Sequence, residues 1–254
     1  MLKTAQRIAA TSLTTLLTTL LTIVPLCAPT AALAGPGEFV MIAPLDQTMP
    51  IVRIENGVLT GGILKDLGDA IAKRLGRRAV YLGLDFTDIK QTLSSGRADA
   101  MCYVMPFWID GDYHWSTPLL PDTEMVVASG DAPPIGSLQA LGNKPVGTVA
   151  GYRYPRIEQV LGKRFLRVDS ATMDQNIQQI LTGKSQYAVI GESTLTYLQR
   201  QHPALHLRPE LVFINFKAQC AFSRKSQVPF ARVNGIIEAM LNDGSIDQIL
   251  ARYR

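Results

Sequence analysis

An α/β fold of two similar lobes, each an open and mainly parallel sheet flanked by helices, is predicted by three features of the sequence. Strand-like and helix-like segments alternate over 38–104, and the alternation restarts over 144–191. The two sets share a spacing, I-x3-L-x6-A, at Ile89, Leu93 and Ala100 and again at Ile177, Leu181 and Ala188. Two further strand-like runs, 123–129 and 217–224, flank the second set and supply two crossings between the lobes. Apolar residues four apart face one side of a helix, and the later alanine opens a buried strand, so local geometry alone accounts for the shared spacing. It indicates similar lobes, not duplication.

In chain order, "EFVMIAP" (38–44) reads as a buried strand that ends in a proline-containing loop. "GGILKDLGDAIAKRLGR" (61–77) reads as a helix. Ile63, Leu64, Leu67, Ile71 and Leu75 form one apolar stripe, Lys73 and Arg74 fall in the last turn, and Gly76 ends it. A strand follows at 78–84, then a short helix at 86–96 capped by Thr87 or Asp88 and stopped by Gly96, then a third strand at 98–104. The second set is a strand at 144–151, a helix at 153–162 with Pro155 in its tolerant first turn, a strand at 165–170, a helix at 173–183 and a strand at 187–191. A helical pair at 230–254 closes the chain, with Val233, Ile236, Ile237, Met240 and Leu241 as its stripe. If that pair packs back on the first lobe, the crevice between two open sheets becomes the ligand site, because the carboxyl ends of the strands face it.

The first 34 residues stand apart. Lys3 and Arg7 precede an uncharged, threonine-rich run at 8–26, and "ALA" at 32–34 offers the small residues a signal peptidase reads. A cleavable signal peptide and a periplasmic location are expected, the threonines arguing against a retained anchor. Setting aside Lys3 and Arg7 from the 25 basic residues leaves 23 against 21 acidic ones, too even a balance for nucleic-acid binding. Cys102 and Cys220 remain; in an oxidising compartment they could pair, but buried free thiols are the expectation. His202 and His206 have Pro203 between them and no third ligand, so no metal is expected, and no nucleophile or phosphate-binding motif is present.

The succession "GILKDLGDAIAKRLG", "DFTDIKQTLSSGRADA", "KPVGTVAG", "QILTGKSQYAVIGE" and "VNGIIEAMLNDGSIDQILARY" resembles the periplasmic solute-binding proteins of the polar amino-acid type, family 3. The resemblance implies a type II periplasmic-binding-protein fold, with 35–123 and 218–254 as lobe 1, 124–217 as lobe 2, and two hinge strands. It also implies a non-enzymatic, cofactor-free monomer that captures a small polar, amine-bearing or amino-acid-like solute. Such a protein delivers its solute to an inner-membrane ABC permease. Two alternatives stand beside it: an enzyme on the same fold, resembling cyclohexadienyl dehydratases with Glu192 as the acid, and a ligand-sensing module.

Family members that bind amino acids usually carry an arginine after the third strand of lobe 1 to pair with the ligand's carboxylate. Here that position falls in "PFWIDGDYHWS" (106–116), and no arginine lies between Arg97 and Arg153. The acidic partner of the ammonium matches Glu192, whose other reading is a first-turn acid of the helix it opens. Arg153, after a glycine turn, is the candidate to replace the absent guanidinium from the opposite lobe, with Tyr152 beside it. Asp46 and Met49 are placed in the cleft by the loop after the first strand, and Tyr103, Phe107 and Trp108 by the end of the third. Trp115 is expected to pack within lobe 1.

Overall fold

The structure, a computed structural model, describes residues 37–254, so the expected signal peptide at 1–34 lies outside the described residues. The chain runs through β1 (Glu38–Pro44), a hairpin of β2 (Arg53–Glu55) and β3 (Val58–Gly61), α1 (Ile63–Leu75), β4 (Arg78–Leu84), α2 (Phe86–Ser95), β5 (Ala100–Val104) and β6 (Tyr113–Trp115). β7 (Leu120–Ser129) then leads to β8 (Pro145–Val149), α3 (Pro155–Leu161), β9 (Leu166–Ser170), α4 (Met173–Leu181), β10 (Tyr187–Gly191) and α5 (Glu192–Gln201). The long β11 (Leu207–Ser223) returns to α6 (Phe230–Asn242) and α7 (Ser245–Ala251).

β1 pairs in parallel with β4 and β5 in the first lobe, and β8 pairs in parallel with β9 and β10 in the second. The two sheets meet on β7 and β11. Leu207 to Ala218 of β11 run antiparallel to β7, whereas Gln219 to Ser223 pair with β5 and β6. A single strand therefore belongs to both sheets, and β7 crosses alongside it. This is the two-lobed arrangement expected from the sequence, with both crossings in hand.

The helix stripe of α1 is buried as its spacing predicts, with Leu64, Leu67 and Ile71 each at or below 1% exposure. Each such side chain contributes about 1.5–3 kcal/mol on burial. Gly68, on the same face, lets the helix sit close to the sheet: a Cβ there would lie 2.6 Å from the Tyr81 hydroxyl and 2.7 Å from the Met41 sulfur. α6 and α7 pack into the same core through Val233, Ile237, Met240 and Ile249, so the C-terminal pair does return to the first lobe.

Three features differ from the sequence expectation. β11 begins at Leu207, ten residues before the strand read at 217–224. Pro209 masks it, since proline has no N–H to donate, and the pairing register shifts beside it between Pro209 and Leu211. The β2–β3 hairpin turns on Asn56 and Gly57, both at positive φ, a tight turn that the periodicity does not reveal. Cys102 and Cys220 are joined as a disulfide, which corrects the free-thiol expectation. They sit directly opposite each other on β5 and β11, a register that sequence spacing does not carry. Closing a loop of 118 residues restricts the unfolded chain, an effect of about 4–5 kcal/mol for loops of this length.

Candidate functional site

Four segments converge where the lobes face each other: the loop after β1, the end of β5, the turn after β8, and the N-terminus of α4. The loop after β1 is held to the second lobe by three hydrogen bonds. The Met173 amide donates to the Asp46 carbonyl at 2.8 Å, Thr48 Oγ1 donates to Asp174 Oδ1 at 2.5 Å, and Gln47 Nε2 donates to the Tyr152 hydroxyl at 2.7 Å. α4 is fixed in turn by Thr172, whose side chain caps it by accepting from the Gln175 amide at 3.2 Å. At the rim, Arg153 grips Asp110 through both guanidinium nitrogens, at 2.9 and 2.5 Å. Gly151 lets the turn after β8 come close to the first lobe; it has a φ of +79°, and a Cβ there would lie 3.1 Å from the Phe86 ring.

These contacts enclose a cavity of about 60 Å³. Asp46, Tyr103, Trp108, Tyr152 and Arg153 line it, together with Glu124 from β7. Asp46 is 4% exposed, and neither of its carboxylate oxygens completes a hydrogen bond. Burial lifts its pKa to about 6, with Asp85 adding to the rise; its own backbone amide and the nearby Tyr152 hydroxyl offset part of that. Glu124 is pushed further, to about 8, by burial and then by the negative charge of Asp122; no donor or cation acts in the opposite direction. The indole Nε1–H of Trp108 is also buried and unpartnered. Of the four buried, unpartnered side-chain atoms among the described residues, three belong to this cavity's wall. Unsatisfied polar atoms of this kind are uncommon in a protein interior and costly to keep.

Tyr103 is held in the left-handed region at φ 60°, a backbone cost of about 1–2 kcal/mol for a bulky residue. Its hydroxyl donates to Asp122, and its ring packs edge-on against Phe216. Asp122 also accepts from the Ser193 hydroxyl at 2.5 Å, the Ser193 amide at 3.1 Å and the Thr123 amide at 2.8 Å. That carboxylate thus ties β5, the β7 crossing and α5 into one fully satisfied network.

A second, larger cavity of about 780 Å³ adjoins it, with Tyr103 and Phe216 lining both. Glu192 lines it, with Lys217, Asn215 and Asp122. Its polar side chains are partnered or exposed, so the smaller cavity is the better candidate for a solute despite its size.

The sequence-predicted residues therefore divide. Asp46, Tyr103, Trp108, Tyr152 and Arg153 are brought together on one cavity. Glu192 is not among them: it is exposed in the first turn of α5, where a carboxylate favours the helix dipole, and it faces the other cavity. Met49 lines neither cavity, and Phe107 is 42% exposed with its ring edge-on to Trp108. Arg153 lines the cavity, but its guanidinium is taken up by Asp110. Trp115 packs edge-on to Tyr113 in the first lobe, as expected. Sequence reasoning missed Glu124, Asp110 and Phe216. The one signal for Glu124 was its position as a carboxylate heading the mostly apolar run "MVVAS" (125–129).

Two α/β lobes hinged on two crossing strands, with unpartnered polar groups gathered in the crevice between them, define a clamshell ligand-binding protein. The chain belongs to the bacterial extracellular solute-binding proteins, family 3, whose family model matches residues 40–254. Among solved structures it is similar to an ancestral arginine-binding protein bound to arginine, at 21% identity and a TM-score of 0.74, covering 86% of this chain and 98% of that one. It is similar to the arginine-, lysine-, histidine-binding protein ArtJ from Geobacillus stearothermophilus, at 17% identity and a TM-score of 0.71, over 85% and 94% of the two chains. It also resembles the amino acid ABC transporter substrate-binding protein AbpA from Streptococcus pneumoniae bound to L-arginine, at 18% identity and a TM-score of 0.70, over 85% and 94%. Comparison with curated protein sequences gives no match. At these identities the structural likeness shows the fold, the type II periplasmic-binding-protein fold, and leaves the ligand to the site itself. No helix among the described residues is long and apolar enough to cross a membrane.

Proposed function

We propose that this protein is the solute-binding component of an ABC-type importer. In this reading it loses residues 1–34 on export and acts as a periplasmic monomer. It closes lobe 1 (35–123 and 218–254) on lobe 2 (124–217) around a small amine-bearing solute, then delivers it to an inner-membrane permease. Family membership and the amino-acid-binding neighbours support the transport role. One observation carries the choice of solute: the cavity wall holds a buried carboxyl group, Asp46, and a part-buried one, Glu124, that no cation of the protein neutralises. In this assignment Asp46 receives the ammonium, and Glu124 replaces Glu192 as the acidic residue from the strands behind the solute. Tyr103, Trp108 and Tyr152 form walls that exclude water and strengthen the charge contact. Arg153 fastens the closed lobes through Asp110 instead of receiving a carboxylate.

Thermal denaturation of the chain from residue 35 onward, with amines and amino acids added in turn, tests this. A ligand at a hundred times its Kd stabilises the folded state by about 2.7 kcal/mol. Stabilisation by an amine that vanishes in Asp46→Asn supports the assignment, and stabilisation that survives unchanged removes it.

A second reading has its own observation. A carboxyl group that holds its proton near pH 7, as Glu124 does, is suited to acid catalysis on a bound substrate. Conversion of a bound compound, followed by mass spectrometry and lost in Glu124→Gln, would establish that reading in place of transport.

A further inference from the structure

We infer that the solute is a small organic monocation without a carboxylate group, an amine of about four or five non-hydrogen atoms that also carries a hydroxyl or ether oxygen, held by Asp46 with that oxygen offered to Trp108. The inference rests on the solute-binding reading and narrows it by charge, by hydrogen-bonding inventory and by size.

Charge comes first. Near neutral pH Asp46 is largely ionised and Glu124 largely protonated, so the cavity carries one negative charge. Asp85 and Asp122 are the other acids acting on these two groups, and Tyr103, Tyr152 and Tyr154 stay protonated beside them, their hydroxyls pushed far up by burial. The one basic side chain in the wall, Arg153, is already paired with Asp110. A monocation brings the closed site to neutrality. A zwitterionic amino acid leaves one net negative charge buried, and a dication leaves one positive charge buried; either carries a penalty of several kcal/mol.

The hydrogen-bonding inventory agrees. The open positions are two carboxylate oxygens on Asp46, which need donors, and one indole N–H on Trp108, which needs an acceptor. An ammonium or guanidinium fills the first, and a hydroxyl or ether oxygen fills the second. A ligand carboxylate would require a strong cationic donor, and the guanidinium that would supply it is engaged at the rim. Size sets the limit: about 60 Å³ accommodates roughly four to five groups of the size of water. Ethanolamine meets both the count and the inventory, guanidinium meets the count but has no acceptor for Trp108, and arginine exceeds the count.

The experiment pairs compounds that differ only in the feature at issue. Ethanolamine, methylamine and guanidinium are titrated calorimetrically at neutral pH into the chain from residue 35 onward, alongside glycine, alanine and putrescine. Fluorescence of Trp108 in a Trp115→Phe background gives a second readout. Ethanolamine is expected to bind a hundredfold or more tighter than glycine and putrescine and tenfold or more tighter than methylamine and guanidinium, which offer Trp108 no acceptor. A hundredfold loss is expected in Asp46→Asn and less than a threefold change in Glu192→Gln, since Glu192 lines the other cavity. Circular dichroism and the melting temperature of Asp46→Asn confirm that it folds. A glycine or alanine affinity equal to or above that of ethanolamine overturns the inference and leaves solute capture standing. Silence from ethanolamine overturns it as well. The broader reading is then judged separately, by mass spectrometry of whatever heat releases from protein purified without denaturation. A carboxylate-bearing solute there preserves the binding reading alone, and the absence of any solute counts against both.

Discussion

Asp122 and Glu124 lie two residues apart on the same crossing strand, yet the fold treats them in opposite ways. Asp122 accepts four hydrogen bonds, from Tyr103, Thr123 and Ser193, and ties both lobes to the crossing. Glu124 is left in a low-dielectric wall with no compensating donor, and its pKa rises to about 8. The same contrast separates the two cavities beside them, a larger one whose polar groups are partnered or exposed and a smaller one that holds buried polar atoms without partners. Carboxylates of one chemistry thus serve as a structural joint in one place and as unfilled binding capacity in the next. Asp122 is the more buried of the two, so partnering and not exposure decides which one keeps its ordinary role.

The largest expected effect follows from the unpartnered pair. A carboxyl whose folded pKa lies above its unfolded value keeps a proton that the unfolded chain has released. Its contribution to stability is therefore greatest below the unfolded pKa near 4 and falls as pH rises through the folded value. The ligand-free protein should lose about 3 kcal/mol between pH 4 and 6 through Asp46, and up to about 5 more by pH 8 through Glu124. Urea denaturation across that range measures the loss, and Glu124→Gln should flatten its upper half. A stability that stays constant from pH 4 to 8 would place Glu124 with Asp122 and dissolve the contrast.

Asp122→Ala comes next, with an expected loss of about 3 kcal/mol at pH 7, because three residues' donors are left facing nothing. Glu124→Ala should cost far less at the same pH. Equal losses from the two substitutions, read from the same denaturation curves, would show that both carboxyls are structural. The smallest effect belongs to the rim. Arg153→Ala should change solute affinity threefold or less and make closure less sensitive to salt, since that pair with Asp110 is solvent-accessible. A hundredfold loss of affinity in Arg153→Ala would instead restore the guanidinium as a ligand residue.

Much of this arrangement is legible in the sequence, for a physical reason. Helix stripes such as Ile63, Leu67 and Ile71 carry their own period, and in open parallel sheets the loops after the strands face the crevice. That reasoning directed Asp46, Tyr103, Trp108 and Tyr152 towards the crevice, and the four line one cavity there. Glu124 escaped because its orientation depends on how β7 crosses beside β11, and half of β11 was hidden by Pro209. The disulfide escaped for a related reason: it depends on the register of two strands whose cysteines are 118 residues apart. Glu192 follows β10 and opens α5, so both of its expected positions coincide at one residue boundary, and it lines the larger cavity. Local order is written locally; the crossing of the two hinge strands is not.

A carboxyl-resolved NMR titration of the ligand-free and ethanolamine- or guanidinium-bound protein tests the central claim most directly. The ligand-free protein should show two raised midpoints, near pH 6 for Asp46 and near pH 8 for Glu124, and a bound monocation should pull the Asp46 midpoint down towards the ordinary range near 4. Ordinary midpoints for both groups without ligand, or an Asp46 midpoint that does not move when a cation binds, would contradict the account.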